Sequence, residues 1–217
     1  MESRMIQKSG LLRVAAAVGT VSIVLPSLAT AVAAQSYPRD VVAHCAREAQ
    51  KMQTTRMDTF ASPNRGIAGM MNTGKAFFYS ANTVRHTTRS EFSLDGLTVA
   101  SLPRVEIVYS YANLGGDVID AMVEKGAKGI VLAGVGDGNT TDAALAALER
   151  AVKKGVAVVR CSRTGSGVVD RNVEVNDDKL GLIAGMELNP QKARILLMLG
   201  LAKTSDAKAL QQYFYEY

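Results

Sequence analysis

The sequence predicts an α/β protein: a parallel sheet flanked by helices, preceded by an irregular hairpin and linker region. Three observations predict it. From residue 104 onward, short apolar runs alternate with amphipathic stretches, the order that builds a parallel sheet with crossover helices. Residues 129–135, "GIVLAGV", are apolar throughout, as in a strand covered on both faces. Residues 51–103 instead show sparse periodicity and frequent turn signals: Ser62-Pro63-Asn64, Asn72-Thr73-Gly74 and Asp95-Gly96.

The elements follow in order. Residues 1–13 carry Arg4, Lys8 and Arg13 against one acid, Glu2, and no charge occurs from Val14 to Gln35. Small residues, Ala31-Val32-Ala33-Ala34, end this stretch. A basic start, an apolar middle and that ending describe a secretory signal peptide over residues 1–34. A membrane anchor is the rival, since about 20 apolar residues span a bilayer. Pro26 and the many Ala, Ser and Thr residues favour cleavage, which leaves the mature chain unanchored and periplasmic or secreted. Residues 35–50 form a polar entry segment. "GIAGMM" and "KAFFYS" flank Asn72-Thr73-Gly74 as a short hairpin. "RHTTRSEFSLDGLTVASLP" reads as an ordered linker, so residues 35–103 form one region and 104–217 a second domain.

In that domain "VEIVYSY" is a strand. "DVIDAMVEKG" is a helix with Val118 and Met122, and Ile119 and Val123, spaced four apart, and Gly126 sits where a helix C-terminus favours glycine. "TDAALAALERAVKKG" puts Leu145, Leu148 and Val152 on one face. Thr140 or Thr141 can cap it, Asp142 suits its first turn, and Lys153 and Lys154 suit its last. "VAVVRCS" is a third strand. Asn189 as cap and Pro190 at the first position open a further helix, with Ile195, Met198, Leu199 and Ala202 at helical spacing. "DAKALQQYFYEY" closes the chain as an aromatic-rich helix.

Composition narrows the function. The 217 residues are 47% hydrophobic and 21% charged, enough for a real core. The net charge of +5 falls to +3 without the three basic residues and one acid of the leader. With the basic residues scattered, nucleic acid is not an expected partner. Two histidines, His44 and His86, make a zinc cage improbable and leave few bases for a serine triad. Cys45 and Cys161 lack a CxxC context; in an oxidising compartment pairing between them stays open.

Residues 134–139, Gly-Val-Gly-Asp-Gly-Asn, form a glycine-dense turn between strand and helix. Helix N-termini expose free N–H groups, so phosphate is the first candidate. The spacing is G-x-G-x-G-N rather than G-x-G-x-x-G, no Lys-Ser or Lys-Thr follows, and Asp137 would repel phosphate. Two readings remain: glycines that merely let the chain turn, or a turn presenting Asn139 and backbone groups at the carboxyl edge of the sheet, where open parallel sheets bind ligands.

Several segments resemble a known family. "LPRVEIVYSYAN", "KGIVLAGVGDGN", "GVAVVRCSR", "RNVEVNDDKLG" and "LNPQKARILLMLGLAKT", closing in "QQYFYEY", are similar in order and content to the C-terminal domain of the exported, type II bacterial L-asparaginases. "VRHTTRSEF" and "TTRMDTF" extend the similarity upstream, so it runs from about Ala46 to Tyr217. The resemblance implies a flavodoxin-like C-terminal domain. It implies hydrolysis of the side-chain amide of L-asparagine, and more slowly of L-glutamine, to the acid and ammonia, with no metal and no cofactor. It also implies a homo-oligomer, a dimer of dimers, in which the N-terminal domain of one subunit and the C-terminal domain of its neighbour share each active site.

By that resemblance Asn139 and Glu174 are substrate-binding. The Asn139 turn meets the neighbour's ligand, and Glu174, in "NVEVNDD", reaches the substrate's α-amino group. Lys51, in "AREAQKMQTTRMDTF", matches a catalytic lysine that helps activate a threonine nucleophile; the family's Arg-Asp pair upstream of it reads Arg47-Glu48 here. Neither the family's Thr-Gly-Gly-Thr turn nor its His-Gly-Thr-Asp-Thr segment occurs in these residues. These carry the nucleophile, a second threonine and the lysine's aspartate. The expectation is a shortened family member with a partial site, inactive by itself, with apolar surface on residues 51–103. The alternatives are a non-catalytic amino-acid-binding or interaction module, and a domain that pairs with a full-length relative.

Overall fold

The structure is a computed structural model and describes residues 41–217; the expected signal segment, residues 1–34, lies outside the described residues. The chain divides into two compact units, Met1–Arg89 and Ser90–Tyr217.

In the first unit, β1 (Val41–Ala43), β4 (Gly69–Asn72) and β5 (Lys75–Phe78) form an antiparallel sheet in the order β1-β4-β5, and β2 (Gln50–Lys51) pairs with β3 (Phe60–Ala61). The hairpin expected around Asn72 joins β4 to β5. Asn72 pairs with Lys75, which leaves Thr73 and Gly74 as the connection, with φ of 49° and 78°. Two positive φ values in a two-residue loop match the right-handed twist of the strands. Arg47 and Glu48 form a buried pair at 2.5 Å. The expected apolar surface is present: Met57, Phe60, Phe77, Phe78 and Tyr79 are exposed.

His44 gives this unit a pH dependence. Its Nδ1 lies 2.8 Å from Ser62 Oγ, and its Nε2 is buried without a hydrogen-bond partner among the described residues. Burial lowers its pKa. The unfolded chain takes that proton near pH 6.5, so below about 6.5 the unfolded state binds more protons than the folded one and stability falls with pH. Urea unfolding followed at Ala68 should show a lower midpoint at pH 5.5 than at 7.5. The difference should shrink in His44→Asn; equal midpoints in the parent chain contradict it.

The second unit carries β6 (Val105–Tyr109), α1 (Asp117–Glu124), β7 (Gly129–Gly134), α2 (Asp142–Lys153) and β8 (Ala157–Ser162). Then come α3 (Asp177–Leu180), β9 (Ile183–Ala184), α4 (Pro190–Leu201) and α5 (Ala207–Glu216). The sheet order is β6-β7-β8-β9, and all three pairings are parallel. The α/β class with a parallel sheet between helices is therefore the observed architecture. All six residues of β7 are buried, as a strand covered on both faces requires.

Alternation along the strands divides the core. Val108, Ile130, Leu132 and Val158 join Ile119 and Leu148 of α1 and α2 in one cluster. The opposite face meets α4: a Cβ added to Gly129 would lie 2.8 Å from Leu197 Cδ2. Each helix has its start signal. Thr141 caps α2 by accepting from the Ala144 amide, and Asn189 caps α4 by accepting from the Lys192 amide, with Pro190 at its first turn.

Two helical faces differ from the sequence pattern. On α2 the buried stripe is Ala144, Ala147, Leu148 and Ala151, with Leu145 and Val152 at its margins. Small side chains let the helix approach the sheet closely, so the deepest positions hold alanine. On α4 Leu199 is buried as the spacing suggests, together with Ala193, Leu196, Leu197 and Gly200, while Ile195 and Met198 are half-buried and Ala202 is exposed. A Cβ on Gly200 would meet Leu210 of α5 at 2.7 Å, so glycine allows α5 to pack there.

The unit starts before the first parallel strand. Tyr217 is buried, and its hydroxyl lies 3.0 Å from Ser90 Oγ and accepts from the Glu91 amide at 3.0 Å. Phe92 packs its ring at 4.9 Å from Tyr213 and 5.0 Å from Tyr217. The C-terminal helix thereby holds the start of the linker.

Candidate functional site

The carboxyl ends of β6, β7 and β8 open onto a polar edge. The glycine turn after β7 is closed by two bonds, Val135 N to Asn139 O and Asn139 N to Val135 O, both 2.8 Å. Gly136 and Gly138 have φ of 52° and 73°, values that favour glycine. A Cβ on Gly138 would lie 2.9 Å from Arg160 Nη1 and 3.0 Å from Val169 Cγ1. The turn thus lies directly on buried side chains.

Asn139 is exposed at the end of this turn. Its Oδ1 accepts from the Thr140 amide at 2.8 Å, which leaves Nδ2 to donate to Glu174 Oε2 at 3.1 Å. The two contacts agree on the amide's orientation, since only the nitrogen can donate to a carboxylate. The structure therefore brings together two of the three residues singled out in the sequence. Glu174 has no ion pair among the described residues. Glu174 is exposed at the edge, and among the described residues its side chain is held by the Asn139 amide at Oε2. A carboxylate held by an amide suits an ammonium group.

The neighbouring hydroxyls are occupied. Ser110 Oγ donates to Thr140 Oγ1 at 3.0 Å, and Thr141 Oγ1 donates to Leu114 O at 2.6 Å while capping α2. Arg163 donates to Ser110 O at 2.5 Å and stacks 5.3 Å from the Tyr109 ring.

Lys51 lies in the first unit. It is exposed in β2 opposite Phe60, with Nζ 5.6 Å from that ring's centroid. The Thr54 and Thr55 hydroxyls both donate to Gln53 Oε1, at 3.5 and 3.4 Å, and Thr59 Oγ1 donates to the Gln53 carbonyl. No threonine hydroxyl of this unit bonds Lys51 among the described residues.

One feature of the site was not anticipated. Arg160, in the middle of β8, is 1% exposed and forms a bidentate pair with Asp177, 0% exposed, through Nε to Oδ1 at 2.7 Å and Nη2 to Oδ2 at 2.8 Å. Nη1 donates to Asp137 O at 2.9 Å, and Nη2 to Asp170 O at 3.1 Å. Asp177 Oδ2 also accepts the Asn172 amide at 2.8 Å. The signal was present: an arginine inside an apolar strand is rare unless it is paired.

Both cysteines are free thiols. Cys161 is buried, and burial raises its pKa well above the ordinary thiol value; Cys45 is raised by burial and by the nearby Glu48 charge. No group of three or more His, Cys, Asp or Glu residues could hold a metal among the described residues. No helix among them is long and apolar enough to cross a membrane.

Fold and edge together define an α/β domain that offers an amide-held carboxylate at the carboxyl end of a parallel sheet. Residues 104–214 match the Glutaminase/Asparaginase C-terminal domain family, and the chain belongs to that family. Over 172 residues it is 43% identical to a Haemophilus influenzae protein named "Probable L-asparaginase periplasmic", covering 79% of this chain and 49% of that one. It is 46% identical to L-asparaginase 2 of Bacillus subtilis, covering 79% and 44%. With L-asparaginase 2 of Escherichia coli the identity is 42% over 171 residues, 79% and 49% of the two chains. The chain spans about half the length of these relatives.

Proposed function

We propose that this chain supplies the amino-acid-holding part of an asparaginase-type amidohydrolase site. In this reading Glu174 receives the α-ammonium of L-asparagine or of L-glutamine, and Asn139 keeps the carboxylate in place. The observation that carries it is the Asn139–Glu174 bond at the carboxyl edge of the sheet. The similarity to named asparaginases, one of them named as periplasmic, supports the substrate class and export.

Amide hydrolysis also needs a nucleophile, a base and oxyanion donors converging within about 3 Å. Lys51 is proposed as the lysine that couples to a threonine nucleophile. The family's two threonine segments do not occur in these 217 residues, and the Thr54, Thr55, Thr140 and Thr141 hydroxyls are engaged elsewhere. By itself, then, this polypeptide holds the amino acid and does not cleave it. Catalysis requires those segments from an associated full-length relative, because a homo-oligomer of these 217 residues lacks them in every subunit.

Calorimetric titration tests the ammonium contact. L-aspartate should bind and succinate, which lacks the amino group, should bind at least tenfold more weakly. Glu174→Gln should weaken L-aspartate by about 10–100-fold, the worth of one charge-assisted hydrogen bond. Equal binding of succinate, or an unchanged Glu174→Gln affinity, contradicts the assignment.

A further inference from the structure

Asn139 and Glu174 sit on two different loops, 35 residues apart in sequence. Neither loop is part of a helix or the sheet, so their register needs a cause. Every N–H of the Arg160 guanidinium group points into this problem. Nη1 holds the carbonyls of Asp137 at 2.9 Å and Gly138 at 3.4 Å, the two residues preceding Asn139. Nη2 holds the carbonyl of Asp170, at the start of the Glu174 loop. Asp177, at the other end of that loop, clamps Nε and Nη2 and takes the Asn172 amide. Asp137 Oδ1 adds a direct bond between the loops, accepting the Asp170 amide at 2.8 Å.

We propose that Arg160, clamped by Asp177, is the positioning residue that registers Asn139 against Glu174 and thereby sets the affinity of the edge for an amino acid. This rests on the functional reading above. A planar guanidinium fits the task because its donors fan out in a fixed fork, which a lysine cannot reproduce. Rooted in the central sheet through β8, it transmits the sheet's rigidity to both loops. Gly138 is the counterpart, since a side chain there would meet Arg160 and Val169.

The test separates positioning from folding. Arg160→Met with Asp177→Leu replaces a buried ion pair by apolar residues, a kind of change that often leaves stability near neutral. Two readouts are taken on the full chain. The first is free-state NMR: the Asn139 side-chain amide resonances should shift on Glu174→Gln in the parent chain and lose that response in the double-variant background. The second is L-aspartate affinity, expected to drop at least tenfold at a thermal midpoint close to the parent's. A folded double variant that keeps either readout at the parent value overturns the proposal.

Should the double variant not fold, Arg160→Lys serves. It keeps the charge opposite Asp177 but releases the Asp137 and Gly138 carbonyls, and it should also lose the amide response; retention overturns the proposal. Failure of the parent chain to bind L-aspartate sinks the functional reading alone, and the NMR readout then decides the positioning role.

Discussion

Asp177→Ala is expected to destabilise the second unit by about 3–5 kcal/mol, lowering its thermal midpoint by roughly 10–20 °C. Arg160 is 1% exposed and Asp177 0%, so the substitution leaves a guanidinium charge in the core with only backbone carbonyls to face. A buried charge without its counterion is costly, whereas the intact pair is close to neutral against an apolar substitute. The single substitution should therefore damage the fold far more than the Arg160→Met, Asp177→Leu swap. The surface pair Arg150–Asp120, at 50% and 35% side-chain exposure, is a useful contrast, because solvent screens it and its loss should be hardly measurable. A midpoint shift under about 2 °C for Asp177→Ala contradicts this account of the core.

Most of the second unit was legible because its signals are local. Thr141, Asn189 and Pro190 sit where helix starts demand them, and the apolar run of β7 announces a doubly covered strand. The fourth strand was not legible. β9 is two residues long, pairing only with Val159 and Arg160, too short for any period to show. The helix faces misled for a physical reason: patterning marks large apolar side chains, while α2 and α4 put alanine and glycine at their closest contacts.

The Asn139 and Glu174 loops could be singled out by motif resemblance, but their contact could not, since it depends on Arg160 linking positions 137, 170 and 177. The two-residue pairing of Lys51 with Phe60 was likewise invisible. It depends on a partner nine residues away and on no repeat within either segment.

The second large effect concerns turnover. On the proposed reading Glu174 holds the amino acid, which stabilises substrate and transition state alike, and uniform binding does not accelerate the chemical step. Acceleration requires a group that attacks the amide and a hole that receives its oxyanion. Enzymes typically gain about a millionfold or more over the uncatalysed reaction, and the threonine segments to which the resemblance assigns the attack do not occur in these 217 residues. Supplying them on an associated subunit should raise the rate by orders of magnitude.

Ammonia release by the purified chain with excess L-asparagine is the direct measurement, made on a preparation shown by calorimetry to bind L-aspartate. No release above the buffer background is the expected result. Steady release on the order of 1 s⁻¹ or faster, abolished by Glu174→Gln, would show that this polypeptide carries its own attacking group and would contradict the account.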